Sequence, residues 1–200
     1  MKNDLSKAER TRQFIIETTA GIFNTKGYAG TSLSDLTEAT GLTKGSIYGN
    51  FESKEEVALA CFDYNLLKIN RAVQQRLDQE TSFHKKLLVY VQIYHSFTGS
   101  PFPEGGCPIL NTAIDADDTN NLLKDKAAKA ILAWKKRLID LLRGGIAAGE
   151  FKTDVAPEQT ALSMIALIEG GIMIAKVTND PTSLVKILKT VELLITQIKT

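Results

Sequence analysis

Residues able to do covalent or acid–base chemistry are few in this chain and poorly spaced for it. The two histidines, His84 and His95, stand eleven positions apart, and the two cysteines are Cys61 and Cys107. There is no Cys-x-x-Cys pair, no His-Glu-x-x-His and no nucleophile with a base at a recognisable distance, so an enzyme is not expected. No metal site and no cofactor are implied either. What does recur at meaningful spacing is a set of groups suited to a phosphate oxygen or a base edge: Thr43-Lys44-Gly45-Ser46, then Tyr48 and Asn50. A threonine that caps a helix leaves backbone N–H groups and a lysine at its start, small residues let the backbone approach closely, and hydroxyl and amide groups can touch phosphates or bases.

Such a set is useful only if short elements present it, and the local punctuation predicts them. Phe14, Ile15, Thr18, Ile22 and Phe23 make a first amphipathic helix that stops at Lys26 and Gly27. Ser32 with Asp35, Thr43 after Gly41, and Ser53 with Glu56 mark three helix starts in close succession. Leu36, Ala39, Leu42 and Ile47 are expected to face inward so that two short helices clasp each other, with Gly41 accepting positive φ at the turn. This is the layout of a helix-turn-helix, although the same spacing also fits any two-helix corner of a helical protein.

Composition bounds the rest. Two hundred residues, 44% hydrophobic and 24% charged, are enough for a buried core without disulfide staples. No export signal is read at the N-terminus, so a reducing cytoplasm with both thiols free is expected. The apolar run Ala161–Ala175 is interrupted by Ser163 and Glu169 and reads as too short to span a membrane, so no membrane partner is expected. Net charge is +1, and residues 1–54 carry seven basic and six acidic side chains, so any nucleic-acid contact must rest on the placement of charge. Helical periodicity predicts further helices from Ser53 to about Gln79, Phe83 to about Phe97, Ile109–Ala116, Asn121–Gly149, and after Pro157 and Pro181. The fold class is all-α with about nine helices, divided into residues 1–52 and 53–200.

From Thr11 to about Tyr64 the chain resembles the N-terminal domain of the TetR family of bacterial transcriptional regulators. The matching text is Phe23 to Gly27-Tyr28, Gly30-Thr31-Ser32, Ala39 to Tyr48, and Asn50-Phe51-Glu52-Ser53-Lys54-Glu55-Glu56. Thr37 and Gly49 depart from it, where the family usually has an alanine and a bulkier residue. The resemblance implies a DNA-binding regulator in which Thr31 and Thr43 meet phosphate and Lys44, Gly45, Ser46 and Tyr48 lie in the major groove. It places Asn50 at the groove rim and gives Lys54 a backbone contact.

It also implies a C-terminal helical domain that dimerises and encloses an effector. In support, Ala161–Ala175 is apolar nearly all round, and the last helix carries Leu184, Ile187, Leu188, Val191, Leu194 and Ile198 on one stripe. The expected partners are therefore double-stranded operator DNA, a second copy bound through the last two helices, and a small effector. Candidates for the effector site are Phe62, Tyr90, Tyr94, His95 and Asn111, together with Trp134, Met164, Glu169 and Met173. Each of these also fits ordinary core. Cys107, after Gly105-Gly106, reads either as a sensor of oxidants or electrophiles or as a buried small hydrophobe; in the family, a similar Gly-Cys before a short helix occurs in a subset, some of which sense through a cysteine. Two other readings stay open: a dimeric ligand- or protein-binding module without DNA affinity, and a Cys107-based sensing regulator.

Overall fold

The computed structural model describes residues 6–97 and 99–200, and among them the regular structure is helical. The order is α1 (Lys7–Gly30), α2 (Leu33–Thr40), α3 (Lys44–Tyr48), α4 (Lys54–Leu77), α5 (Phe83–Tyr94), α6 (Pro108–Ala116), α7 (Asn121–Ala147), α8 (Pro157–Thr178) and α9 (Pro181–Gln197). The all-α architecture read from the sequence is the one found. Its starts are set by side-chain caps. Ser6 with Glu9 and Ser32 with Asp35 form reciprocal capping boxes, Thr43 Oγ1 accepts the Ser46 N–H, and Ser53 Oγ accepts the Glu56 N–H.

The chain forms two compact units. The first runs through Lys68 and adds Phe102–Ala127, so the first part of α4, the loop before α6 and α6 itself accompany the helix-turn-helix. The sequence reading had assigned those residues to the C-terminal part. Its core is Ile15, Phe23, Leu36, Ile47, Phe51, Val57, Cys61, Ala116 and Leu123. Cys61 is fully buried, its thiol is pushed up to about 12 by burial, and it contacts the Thr19 hydroxyl.

The second unit comprises Ile69–Pro101 and Ala128–Thr200. Within it α8 packs on α9: Ile165, Ile168, Ile172 and Ala175 are buried on one side, and Leu184, Leu188, Val191 and Ile195 on the other. Gly171 lies so close to Leu184 and Ile187 that a Cβ there would collide with them. The Glu150 carboxylate accepts the N–H groups of Phe83 and His84 at 3.0 Å each and so caps α5 from outside it. The C-terminal residues are tied to the α7–α8 connection by the Phe151–Lys199 bridge and the Lys152 N–H donated to Ile198 O.

One expectation needs correction. By length and composition α8 is long and apolar enough to cross a membrane, because it extends beyond Ala161–Ala175 at both ends. Its packing against α9 gives that apolar surface a different use.

Candidate nucleic-acid interface

Five residues make α3, and their division between core and surface follows helical geometry. Ile47 is completely buried and anchors the helix, while Lys44, Gly45 and Tyr48 are exposed, Tyr48 to 39%. The Lys44 ammonium lies 5.9 Å from the centre of the Tyr48 ring, a cation–π pair on the outer face. Thr43 is exposed and caps the helix, and Ser46 is half-buried. Asn50 is half-buried as well, with its amide donated to Ser46 O at 2.9 Å. The outward face is therefore lysine, glycine and tyrosine, a combination that approaches closely and offers charge and a hydroxyl.

Opposite α3, the short α2 buries Leu36 and Thr40, with the Thr40 hydroxyl donated to Leu36 O. Ala39, expected inside, is exposed. In a two-turn helix the inward pair is set at i and i+4 from Leu36, which selects Thr40 and leaves Ala39 on the outer side. Gly41 closes α2 at φ 68°, as the turn requires.

Three further side chains hold this pair of helices, and two of them had been assigned to DNA. Lys54 donates its ammonium to Tyr28 O at 2.9 Å and Thr31 O at 2.8 Å and lies 4.3 Å over the Tyr28 ring. Thr31 is fully buried, and its hydroxyl donates to Gly27 O. Lys54 thus fastens the end of α1 to the start of α4, and Thr31 closes the last turn of α1, since carbonyls left free where α1 ends need donors. The third is Arg12, which the sequence reading passed over. Its guanidinium donates to Asn50 O, pairs with Glu56 at 2.6 Å, and stacks 4.0 Å from the centre of the Phe51 ring. An arginine one turn before buried Ile15, on the same stripe, was the available signal.

Asp35 joins the same surface. Its carboxylate accepts Lys26 Nζ at 2.5 Å, the Ser32 hydroxyl and the Ser32 N–H, and these bonds hold its pKa far below the ordinary 3.8. A carboxylate depressed by folding stabilises the native state above its unfolded value, and that contribution is lost as pH falls through the folded one. Asp35→Asn is accordingly expected to lose stability less steeply with acid than the parent as pH falls from about 5 to about 2, with parallel profiles above that window. Thermal melts across that range decide it, and profiles that stay parallel within the window would show that Asp35 does not take part.

α6 grips α1 through a second set of polar contacts. Asp115 accepts the Tyr28 N–H at 2.7 Å, just after Gly27 breaks the helix at φ 71° and ψ 178°. Asn24 donates to Glu104 O and Gly106 O, and Asn111 donates back to Asn24 O at 3.0 Å and to Gly105 O at 2.9 Å. Asn120 adds a bond to Glu55 in α4 at 2.8 Å. α1, on which α2 packs, is thereby bonded directly to α6.

Residues 15–61 match the family described as bacterial regulatory proteins of the tetR family, and residues 84–191 match the tetracyclin repressor-like C-terminal domain. The chain belongs to the TetR family. A TetR-family transcriptional regulator from Cytophaga hutchinsonii has a similar crystal structure, with a TM-score of 0.95 and 50% identity over 99% of both chains. Another TetR regulator, from Chloroflexus aurantiacus J-10-FL, matches at 37% identity and a TM-score of 0.92 over 98% of both. Among curated relatives, the HTH-type transcriptional repressor DhaR of Mycobacterium sp. (strain GP1) is 24% identical over 84% of each chain. This TetR protein is thus a DNA-binding transcriptional regulator and not an enzyme.

Within this TetR-family chain the effector candidates fall into separate groups. Phe62 and Asn111 line a cavity of about 20 Å³ in the first unit, room for one water molecule and not for an effector. Cys107 is 1% exposed at the N-cap of α6, inside the loop that Asn24 holds, so a reagent reaches it only if that loop opens. In the second unit Tyr94 stacks on Trp134 at 5.2 Å and Tyr90 lies 6.2 Å from the same ring. Met164 is fully buried and Glu169 nearly so. His95, which ends α5, and Met173, 46% exposed on α8, both lie at the surface of their unit.

Proposed function

We propose that the protein is a repressor that binds a palindromic operator as a homodimer and leaves it when a small effector binds. The observation that carries the reading is α3, anchored by Ile47 and presenting Lys44, Gly45 and Tyr48 outward, with Thr43 at its start. These residues, with Ser46, are the DNA contacts proposed. Asn50, Lys54 and Thr31 act in this reading by positioning the helix, since their side chains are already bonded within the protein. DhaR, named a repressor, supports the direction of regulation.

TetR-family regulators act as dimers. In this chain we assign the contact to α8 and α9. Leu162, Met173, Ile174 and Val177 leave an apolar stripe exposed on α8, a Cβ added at Gly170 would meet only open space, and Leu193 is exposed on α9. Such a stripe calls for a cover, and a two-fold partner supplies the same stripe in return. Ile174→Glu is expected to give monomers in analytical ultracentrifugation and to cost operator affinity at least about tenfold, because two half-site contacts become one. A variant that stays dimeric would move the interface elsewhere.

Effector binding shifts a population between two dimer geometries, of which one suits the DNA. α4 is continuous between the units, and the Asp115 and Asn111 bonds give α6 a direct hold on α1. The two free cysteines fit the reducing cytoplasm in which such a regulator works. Selection of random duplexes by the purified protein tests the reading. The expected winner is palindromic, with half-sites about 34 Å apart or a multiple of a turn. Absence of any winner at low salt would favour the ligand- or protein-binding module instead.

A further inference from the structure

The second unit opens a groove of about 350 Å³, within the size range of small-molecule sites, between the end of α4, the start of α5 and the C-terminal half of α7. Leu77, Phe83 and Leu141 supply its apolar floor, and Lys86 and Arg137 stand on its walls. Two carboxylates also line it, yet both are already engaged. Asp140 pairs with Lys136 at 2.6 Å, and Asp78 accepts the Gln74 amide at 2.7 Å. Lys86 and Arg137, in contrast, make no ion pair among the described residues; Lys86 lies 5.3 Å over the Phe83 ring.

Arg137 has a second neighbour, the hydroxyl of Tyr90. That residue is 2% exposed, and its hydroxyl lies beside the guanidinium, which acts on it through its charge and a hydrogen bond. Burial pushes the phenol up to about 12, against the smaller opposing pull of Arg137, so it remains a donor at neutral pH. The indole N–H of Trp134, stacked with Tyr90, is buried without a partner among the described residues. Two cations without an ion pair within 4 Å, on the walls of a groove with an apolar floor, match a ligand that brings a negative charge on a hydrocarbon body.

We propose that this groove is the effector site and that its ligand is an organic carboxylate with an apolar body, clasped by Arg137 and Lys86 over Leu77, Phe83 and Leu141. The assignment rests on the reading that this regulator responds to a small effector, and it adds the chemical class. A guanidinium binds carboxylate through two parallel N–H bonds, and the ammonium adds charge from the facing helix.

Isothermal titration of the full chain with decanoate, below its micelle concentration, tests the class, with decanol and decyltrimethylammonium as uncharged and cationic counterparts. Decanoate is expected to bind at least about tenfold more tightly than either. Arg137→Gln and Lys86→Gln should each weaken decanoate about tenfold while leaving decanol unchanged, and Lys189→Gln on α9 should do nothing. Equal affinity for decanoate and decanol, or unaltered decanoate binding by the two groove variants, would overturn the site. So would an absence of decanoate binding. If either groove variant unfolds, the other decides, with its melt checked against the parent. Operator release separates the two levels of the claim. Decanoate bound through Arg137 without loss of operator affinity would remove the effector reading and keep the anion site. Release by another compound that Arg137→Gln leaves unchanged would keep the effector reading and overturn the groove as its site.

Discussion

Gly27→Ala is expected to destabilise the protein by about 2–4 kcal/mol and to loosen the hold of α6 on α1. Gly27 has φ 71° and ψ 178°, a region essentially reserved for glycine. A Cβ there would also strike the Asp115 carboxylate, which accepts the Tyr28 N–H one residue on. The backbone strain and the collision act on the same turn, so the side chain of Asp115 must withdraw and leave that N–H without its partner. Denaturant unfolding measures the change. A loss below about 0.5 kcal/mol, the scale of an ordinary surface substitution, would show that the turn adapts freely and that the Asp115 bond has little weight.

Arg12→Ala should reduce operator affinity about tenfold while costing only about 1–2 kcal/mol of stability. The guanidinium is the link among Asn50 O at the end of α3, the Phe51 ring and Glu56 at the start of α4. Its side chain is 38% exposed, so solvent replaces part of what the ion pair supplied. What solvent does not replace is position: without Arg12, the end of α3 is held by Ile47 alone among its own residues. Arg12→Lys keeps a charge but cannot reach Asn50 O and Glu56 from two separate nitrogens, and it should recover only part of the affinity. A variant that binds operator like the parent while melting lower would make Arg12 a stability residue with no part in placing α3.

The helices and their starts were legible because caps are local. Ser32 with Asp35, Thr43, and Ser53 with Glu56 act within four residues, and the breaks at Gly27 and Gly41 need only backbone freedom. Two residues of α2 and α3 show the limit of periodicity over so few turns: Ile47 turned inward as read, and Ala39 did not. Placement of α6 was not legible at all. It depends on Asn24, Asn111 and Asp115, whose bonds to backbone groups span up to 87 positions and leave no mark on spacing. Lys54 and Thr31 carry family text in this sequence, yet only coordinates reveal that their polar atoms make bonds inside the protein. Among the effector candidates, the aromatic trio of Tyr90, Tyr94 and Trp134 does gather, whereas Phe62, Cys107 and Asn111 belong to the other unit. The groove cations Lys86 and Arg137 escaped notice because a charge on an amphipathic helix ordinarily marks its solvated face.

The most direct test of α3 as the DNA-reading element is fluorescence anisotropy on a selected operator across a salt series, comparing the parent with Lys44→Ala and Tyr48→Ala. Both substitutions lie on the exposed face, so the melting temperature should stay close to that of the parent. The account predicts weaker binding for each, by about tenfold, and a shallower salt slope for Lys44→Ala alone, about one counterion less per subunit. Parent-like affinity and slope in both variants would contradict it and move the DNA contact off α3.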